Sequence, residues 1–343
     1  MKKILFAAAA MAAALFASCD KNDETLDPAM PEVADGARIA ITLTGAGDTE
    51  TRAFFDTTAK AEAWESSLSS LSVFAFDKGG TLIVRRDFSS AELASKSATF
   101  ALPKSTAGTE CSFYAVANYD ASSAKTKAAL TALVENSAAD YNGTFAEVST
   151  KAKRSGGFVM SGFATKTVGA VNTTTSVGIT LKRTVAKVAV QTTVDPLFAN
   201  KYSGTLTINS VKLSKAASQS LVVAGTPTPG TMTFSHTQTP AEASGNYNAL
   251  FYCFENGALA AGSRVLLEIN ATYDPDGSAS TPDDRSEVTY SSELTGKAAG
   301  EILRNGYYRI AANITGLVGQ DCAVTVTVAD WETPITQNVE LGA

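Results

Sequence analysis

The sequence predicts an all-β chain built from two tandem antiparallel β-sandwich domains with few short helices. Short runs in which apolar and polar residues alternate recur along most of the chain, and this period of two is typical of half-buried strands. Thr and Val are abundant in these runs, as β propensity favours. Turn segments rich in Gly, Pro and Ser, such as residues 226–230 and 274–284, separate the runs. Many short strands of this kind are typical of antiparallel sandwiches.

Composition narrows the class of protein. The chain has 343 residues, of which 45% are hydrophobic and 18% charged, and this is enough apolar material for two globular domains. The net charge of −6 offers no basic surface for nucleic acid. The chain contains a single histidine, whereas most acid–base and metal sites use histidine. We therefore expect no nucleic-acid partner, no cofactor and no enzymatic activity.

Residues 1–19 have the composition of an export signal. Two lysines precede a short alanine-rich apolar run at residues 4–16, and small residues then lead to Cys19. The run is too short to span a membrane and has the flanks of a signal peptide. A cysteine at this position resembles a bacterial lipobox, which predicts a lipoprotein that carries a fatty acid such as palmitate on Cys19. The alternative is an ordinary signal peptide with an incidental cysteine.

A polar, acidic tether is predicted at residues 20–36, after the signal. No later apolar run approaches the ~20 residues that a membrane-spanning helix needs. The lipid is therefore the expected membrane anchor.

The two domains are predicted at residues 53–195 and 196–331, because the Asp-Pro pair at 195–196 interrupts the strand pattern. Residues 121–137 are an exception within the first domain, since their apolar residues recur at helical spacing and predict one helix. Strands of the first domain are predicted at residues 71–77, 81–86, 110–118, 157–162, 175–181 and 185–194. Those of the second are predicted at residues 204–213, 220–224, 249–255, 264–273, 286–293, 306–315 and 323–329.

Two further segments alternate like half-buried strands although they lie outside these domains. Residues 37–45 precede the first domain, and the tail at residues 332–343 follows a second domain that already looks complete without it. One apolar face in each segment is predicted, formed by Ile39, Ile41 and Leu43 in the first and by Ile335, Val339 and Leu341 in the tail.

Motifs that would carry chemistry are weak. The acidic turn that starts at Asp274 lacks the spaced ligands of an EF-hand loop, so we interpret it as a turn and predict no metal site. His236 has no partner nearby in sequence and is expected at the surface. Cys111, Cys253 and Cys322 show no metal-ligand spacing and are expected to be small buried hydrophobic residues. The sequence thus offers no catalytic or cofactor-binding residues.

Four segments, in order, resemble the Bacteroidales major fimbrillin family, whose members are subunits of donor-strand pili. They are Cys19 with the acidic tether, the alternating strand and the Thr-Arg-Ala-Phe of residues 51–54; residues 181–188; residues 304–316; and residues 324–331 with the short tail. Their order and spacing extend over nearly the whole chain. The resemblance implies transthyretin-like, Greek-key sandwiches.

The resemblance also implies how the chain is processed. An arginine-specific protease would cut between Arg52 and Ala53 and free the N-terminal strand, residues 37–52. The tail of another subunit would then fill the vacated groove, because strand addition supplies backbone hydrogen bonds and pockets for alternate side chains. The partners implied are identical or related pilin subunits in a head-to-tail polymer.

The expected function is therefore that of a structural stalk subunit that supports adhesion. The lipidated precursor would lie in the cell outer membrane and the processed subunit in the extracellular fimbrium. Two other interpretations remain open, namely an anchor or tip subunit of the same pilus and a surface glycan-binding lipoprotein. The second is less favoured because Trp64 and Trp331 are the only tryptophans available as exposed aromatic platforms.

Overall fold

The computed structural model describes residues 36–45, 55, 61–225, 232–278, 280–296, 299–317, 322–330 and 338–341, the last two segments as backbone. The predicted signal peptide, residues 20–35 of the predicted tether, and the predicted cleavage point lie outside the described residues. Within the described residues, none of the helices is both long enough and apolar enough to cross a membrane.

The N-terminal half is mostly strand, as predicted. Its strands are β1 (Ala37–Thr44), β2 (Leu71–Phe76), β3 (Leu82–Asp87), β4 (Ser97–Leu102), β5 (Glu110–Ala117), β6 (Val134–Glu135), β7 (Met160–Thr167), β8 (Thr174–Thr180), β9 (Lys182–Arg183) and β10 (Val185–Val194). Its helices are α1 (Ser90–Ser95), α2 (Lys127–Thr131), α3 (Phe145–Val148) and the 3-10 helices Ala63–Ser66, Lys104–Thr106 and Ala138–Tyr141.

The C-terminal half continues in the same manner. Its strands are β11 (Thr205–Ala216), β12 (Ser220–Leu221), β13 (Phe234–Gln238), β14 (Ala241–Ala243), β15 (Asn246–Phe254), β16 (Leu266–Asp274), β17 (Ser286–Glu293), β18 (Gly306–Ile314), β19 (Cys322–Asp330) and β20 (Asn338–Leu341). Its helices are α4 (Phe198–Lys201) and the 3-10 helix Pro282–Asp284. The all-β fold class predicted from the sequence is confirmed.

The first sandwich packs a five-stranded sheet, in the order β3-β2-β5-β7-β9, against a three-stranded sheet in the order β4-β1-β8. The inward side chains of both sheets form one apolar core, as expected for aligned sandwiches. Cys111 lies in this core and is buried, as predicted. The sandwich is not purely antiparallel, because β1 runs parallel to β8.

The second sandwich packs the six-stranded sheet β14-β15-β10-β18-β19-β20 against the four-stranded sheet β13-β11-β16-β17. Here too one pair is parallel, because β10 runs parallel to β18. The six-stranded sheet contributes Val188, Val190 and Cys253 to a core shared with the four-stranded sheet. In both sandwiches the first strand in sequence therefore lies inside a sheet, between an antiparallel and a parallel neighbour.

The position of β10 corrects the predicted domain boundary. The sequence assigned this strand to the first domain, but it pairs along its length with β15 and β18. The crossing between the sandwiches therefore lies next to Thr184 and not at Asp195. Asp195 instead accepts a side-chain hydrogen bond from Asn313 at 3.0 Å, within the second sandwich.

The predicted helix at residues 121–137 is also wrong in extent. Only α2 forms, with the Thr126 side chain accepting a hydrogen bond from the Ala129 backbone N–H at its N-cap. Residues 134–135 form β6, which pairs with β12 of the C-terminal half. This pairing with a distant strand overrides the local helical preference.

The two sandwiches are joined by extensive packing. The outer face of the six-stranded sheet contacts the segment that carries α3, through a cluster that includes Tyr141, Phe158 and Tyr252. On the other side, Val222 and Val223 pack against the outer face of the five-stranded sheet. Each sandwich thus covers an apolar surface of the other.

Candidate functional site: the central strand of the first sandwich

The strand β1 buries one complete face. Ala37, Ile39, Ile41 and Leu43 are 0%, 0%, 1% and 4% exposed, whereas Arg38, Thr42 and Thr44 face solvent. This alternation is what the sequence predicts for a strand with one apolar face. The four inward side chains belong to the core of the first sandwich.

Both edges of β1 are paired. Residues 37–42 pair with β4 in antiparallel register, and residues 38–44 pair with β8 in parallel register. At its end the Leu43 N–H donates to the Lys96 carbonyl and the Leu181 N–H donates to the Thr44 carbonyl, both at 2.9 Å. Loss of this strand would leave two unpaired edges on either side of an apolar floor, which is an adhesive arrangement for another strand.

The C-terminal tail forms the last strand, β20. It pairs antiparallel with β19, with Val339 opposite Val326 and Leu341 opposite Val324. The sequence predicted that the second domain is complete without this tail, yet β20 lies at the edge of the six-stranded sheet of that domain. Ile335 lies outside the described residues. Cys19, Arg52 and Ala53 lie outside them as well.

Two of the family-like motifs, residues 181–188 and 304–316, meet at the junction between the sandwiches. The Arg183 side chain is fully buried and donates through Nε to the Glu65 carbonyl at 2.7 Å and through Nη1 to Asn305 Oδ1 at 2.8 Å. The Lys187 ammonium lies 2.8 Å from Glu65 Oε1 and 4.7 Å from the centre of the Tyr307 ring. These contacts connect strands of the second sandwich to the segment that enters the first.

Glu65 is the centre of this buried network. Its carboxylate also accepts hydrogen bonds from the Tyr252 hydroxyl at 2.6 Å and from the Glu62 backbone N–H at 2.8 Å. Burial lowers the pKa of Lys187, and the nearby Glu65 carboxylate opposes that effect. Burial and the same carboxylate both raise the pKa of Tyr252 well above its usual range. Sequence reasoning missed Glu65, although a lysine inside the apolar run of β10 signals a buried partner.

The remaining polar candidates have structural roles. Asp274 accepts from the Gly277 N–H at 2.8 Å and pairs with Arg285 at 3.0 Å, so its loop is held by its own contacts. His236 was expected at the surface but is half-buried, with Nε2 3.2 Å from the Gly143 carbonyl oxygen at the junction. Neither arrangement points to catalysis.

Part of the chain matches a known protein family. Residues 37–200 match the family model described as "Major fimbrial subunit protein (FimA)", and the match begins at the first residue of β1. No curated protein sequence matches the chain.

Three solved structures share the fold over most of the chain. A candidate cell adhesion protein from Bacteroides eggerthii is 20% identical, with 88% of this chain and 98% of that one covered and a TM-score of 0.59. The tip fimbrial protein Mfa3 from Porphyromonas gingivalis is 14% identical, with 86% and 99% covered and a TM-score of 0.54. A fimbrial assembly protein from Parabacteroides distasonis is 13% identical, with 89% and 98% covered and a TM-score of 0.53.

These structural likenesses show the fold, and the family match includes the central strand, the five-stranded sheet and the crossing to β10. Over residues 37–200, the chain is therefore similar to the family of the major fimbrial subunit protein (FimA).

Proposed function

We propose that this chain is a stalk subunit of a cell-surface fimbrium that polymerises by strand exchange. The observation that carries the proposal is the position of β1, which fills the centre of a three-stranded sheet although its sequence precedes the rest of the sandwich. A strand placed in this way can leave without breaking the chain between any other pair of strands.

Release of β1 requires a cut between this strand and the body. We place the cut between Arg52 and Ala53, by an arginine-specific protease. Fully burying Ile39, Ile41 and Leu43 is worth about 5–9 kcal/mol in area terms. A free strand would therefore stay in its groove until another strand competes for the same contacts.

The competing strand in this proposal is the tail of a second subunit. Val339 and Leu341 share one face of that tail, and the tail would have to leave β19 in order to enter a neighbour's groove. A contact of this kind joins the first sandwich of one subunit to the end of the next, so it does not close and generates a filament. The filament would be extracellular.

Lipidation belongs to the precursor. A fatty acid on Cys19 would hold the chain at the cell outer membrane, and after cleavage this anchor would leave together with β1 when another strand displaces it. Metabolic labelling with a clickable palmitate analogue should mark the wild-type chain and not Cys19→Ala. Equal labelling of the two proteins would remove the lipid step from the proposal.

The polymer itself provides the main test. Purified precursor, before and after an arginine-specific protease, should be compared for ladders on denaturant-free gels. The ladders should appear only after cleavage, and N-terminal sequencing of the assembled material should begin at Ala53. Val339→Asp should abolish the ladders because it puts an unpaired charge into an apolar groove, whereas Glu340→Gln on the opposite face should not. If Val339→Asp assembles like wild type, the tail is not the donor.

A tip subunit of the same fimbrium is the second candidate, because β20 is already paired within its own chain and a tip needs no donor tail. Cleaved protein that accepts a donor peptide but never extends into ladders would favour the tip. An anchor would differ from both, since assembled material would still begin at Cys19.

A further inference from the structure

Two glycines stand at the ends of the central strand, where no side chain fits. A Cβ built on Gly36 would lie 1.9 Å from the carbonyl oxygen of Leu102, which belongs to β4. Gly45 has a φ of +79°, and a Cβ there would lie 2.5 Å from the carbonyl oxygen of Leu181. In both cases the obstacle is backbone, which cannot move aside as a flexible side chain can.

Between the glycines lie four inward positions of different size. The first holds Ala37, the two middle ones hold Ile39 and Ile41, and the last holds Leu43. The middle positions are flanked by Phe100 and Thr175 at Ile39, and by Ala98 and Val177 at Ile41. The site is therefore graded, with its large apolar positions in the middle and at one end.

We infer that Gly36 and Gly45 fix the register of any strand that replaces β1, so that the tail of a second copy binds with Val339 and Leu341 in the two isoleucine positions. This inference rests on the proposed strand exchange and adds the register, which that proposal leaves open.

The register follows by elimination among the inward residues of the tail. If Leu341 took the place of Leu43 in a strand running in the direction of β1, Ala343 would replace Gly45 and its Cβ would meet the Leu181 carbonyl. The same shift would bury Gln337 in the position of Ile39, where an unpaired amide is costly. If the tail ran in the opposite direction with Leu341 in the place of Ala37, a leucine would overfill an alanine position.

Two arrangements fill all four positions with residues 337–343. The one that runs in the direction of β1 places Gln337 in the position of Ala37, where it would overfill an alanine position as a leucine would, so the arrangement that runs against β1 remains. In both, Val339 and Leu341 occupy the two middle positions and Gln337 lies at an end of the groove. In the arrangement that remains, Gln337 takes the position of Leu43, which at 4% is the most exposed of the four inward positions.

The first test measures whether a side chain at position 36 or 45 weakens the binding of a strand to the groove. The full chain, cut at Arg52, receives a fluorescent peptide of residues 36–45, and exchange is followed by anisotropy. Gly36→Ala and Gly45→Ala peptides should bind about tenfold or more weakly, because overpacking against backbone is not relieved by rotamer changes. Thr42→Ala, which alters an outward residue, is the matched control and should bind like the native peptide.

The second test measures the register itself. Ala98 lies opposite Ile41, so an Ala98→Cys subunit should form a disulfide with a peptide of the tail that carries cysteine at position 339 or 341. A tail peptide with cysteine at position 337 should not form that disulfide.

The outcomes distinguish a failure of strand exchange from a failure of the register alone. If the native peptide of residues 36–45 does not exchange, the strand-exchange function is overturned together with the register. If it exchanges and the glycine variants bind equally well, or if position 337 cross-links to position 98, only the register inference is overturned. Weak binding of both glycine variants together with a cross-link from 339 or 341 supports it.

Discussion

Removal of one partner from the buried Glu65–Lys187 pair should destabilise the precursor strongly. Both side chains have 0% exposure, and the ammonium lies 2.8 Å from Glu65 Oε1. Lys187→Met removes the ammonium and leaves the carboxylate buried, with hydrogen bonds from Tyr252 and Glu62. Breaking a buried pair in this way costs about 3–5 kcal/mol, because the carboxylate stays in the protein interior and loses the ammonium that lies 2.8 Å from it.

The double variant Glu65→Gln with Lys187→Met should recover much of that loss. Both charges are then absent, and replacing a whole buried pair is often neutral. The assay is urea unfolding of the uncut precursor at pH 7, with the free energy of unfolding obtained by linear extrapolation. Lys212→Met is the matched control, because Lys212 pairs with Glu268 at 3.0 Å on the surface and should cost no more than about 1 kcal/mol. A loss for Lys187→Met as small as that of the control would refute this account of the junction.

Three other outcomes can be measured on the precursor. Ile41→Ala should lower the free energy of unfolding by about 2–5 kcal/mol through the cavity it leaves, whereas an equal loss in Thr42→Ala would show that the face of β1 is irrelevant. Burial raises the pKa of Cys253 to about 12, so a thiol reagent at pH 8 should label this residue only after denaturation. Lys212 holds the pKa of Glu268 below its usual 4.5, so this carboxylate contributes stability above pH 4.5 that is lost on further acidification. The stability of Glu268→Gln should depend less steeply on pH in that acid range, and an unchanged slope would contradict the pairing.

The alternation of apolar and polar residues made most of the strands predictable from the sequence. The period of two in residues 37–45 and the continuous apolar run of residues 185–194 identified β1 and β10, because each buries its side chains in a regular pattern. The pairing between strands was harder to predict from the sequence. The Asp-Pro pair at 195–196 looks like a domain boundary, but it forms the turn into α4. Only the long-range pairing of β10 shows that this strand belongs to the second sandwich.

The site was predictable in part for the same reason. The inward face of β1 could be read from the sequence, whereas Glu65 could not, because its partners Lys187 and Tyr252 lie 122 and 187 residues away. The close approach of Gly36 to the backbone of β4 was equally hidden, since a glycine before a strand has many possible reasons. Both features depend on which segments become neighbours after folding.

The interior position of β10 has a consequence for secretion. A chain that crosses a membrane from its N-terminus delivers β10 well before its neighbours, because Val188 pairs with Phe251 and with Tyr308, about 60 and 120 residues further along. The first six residues of β10 are all buried in the finished protein, so an emerging chain carries an apolar strand with no native neighbour for most of its passage. Long-range pairing of this kind is slow and exposes the chain to aggregation. Chains truncated before β18 should therefore accumulate as insoluble material, and a holding chaperone on the far side of the membrane should matter most during this interval.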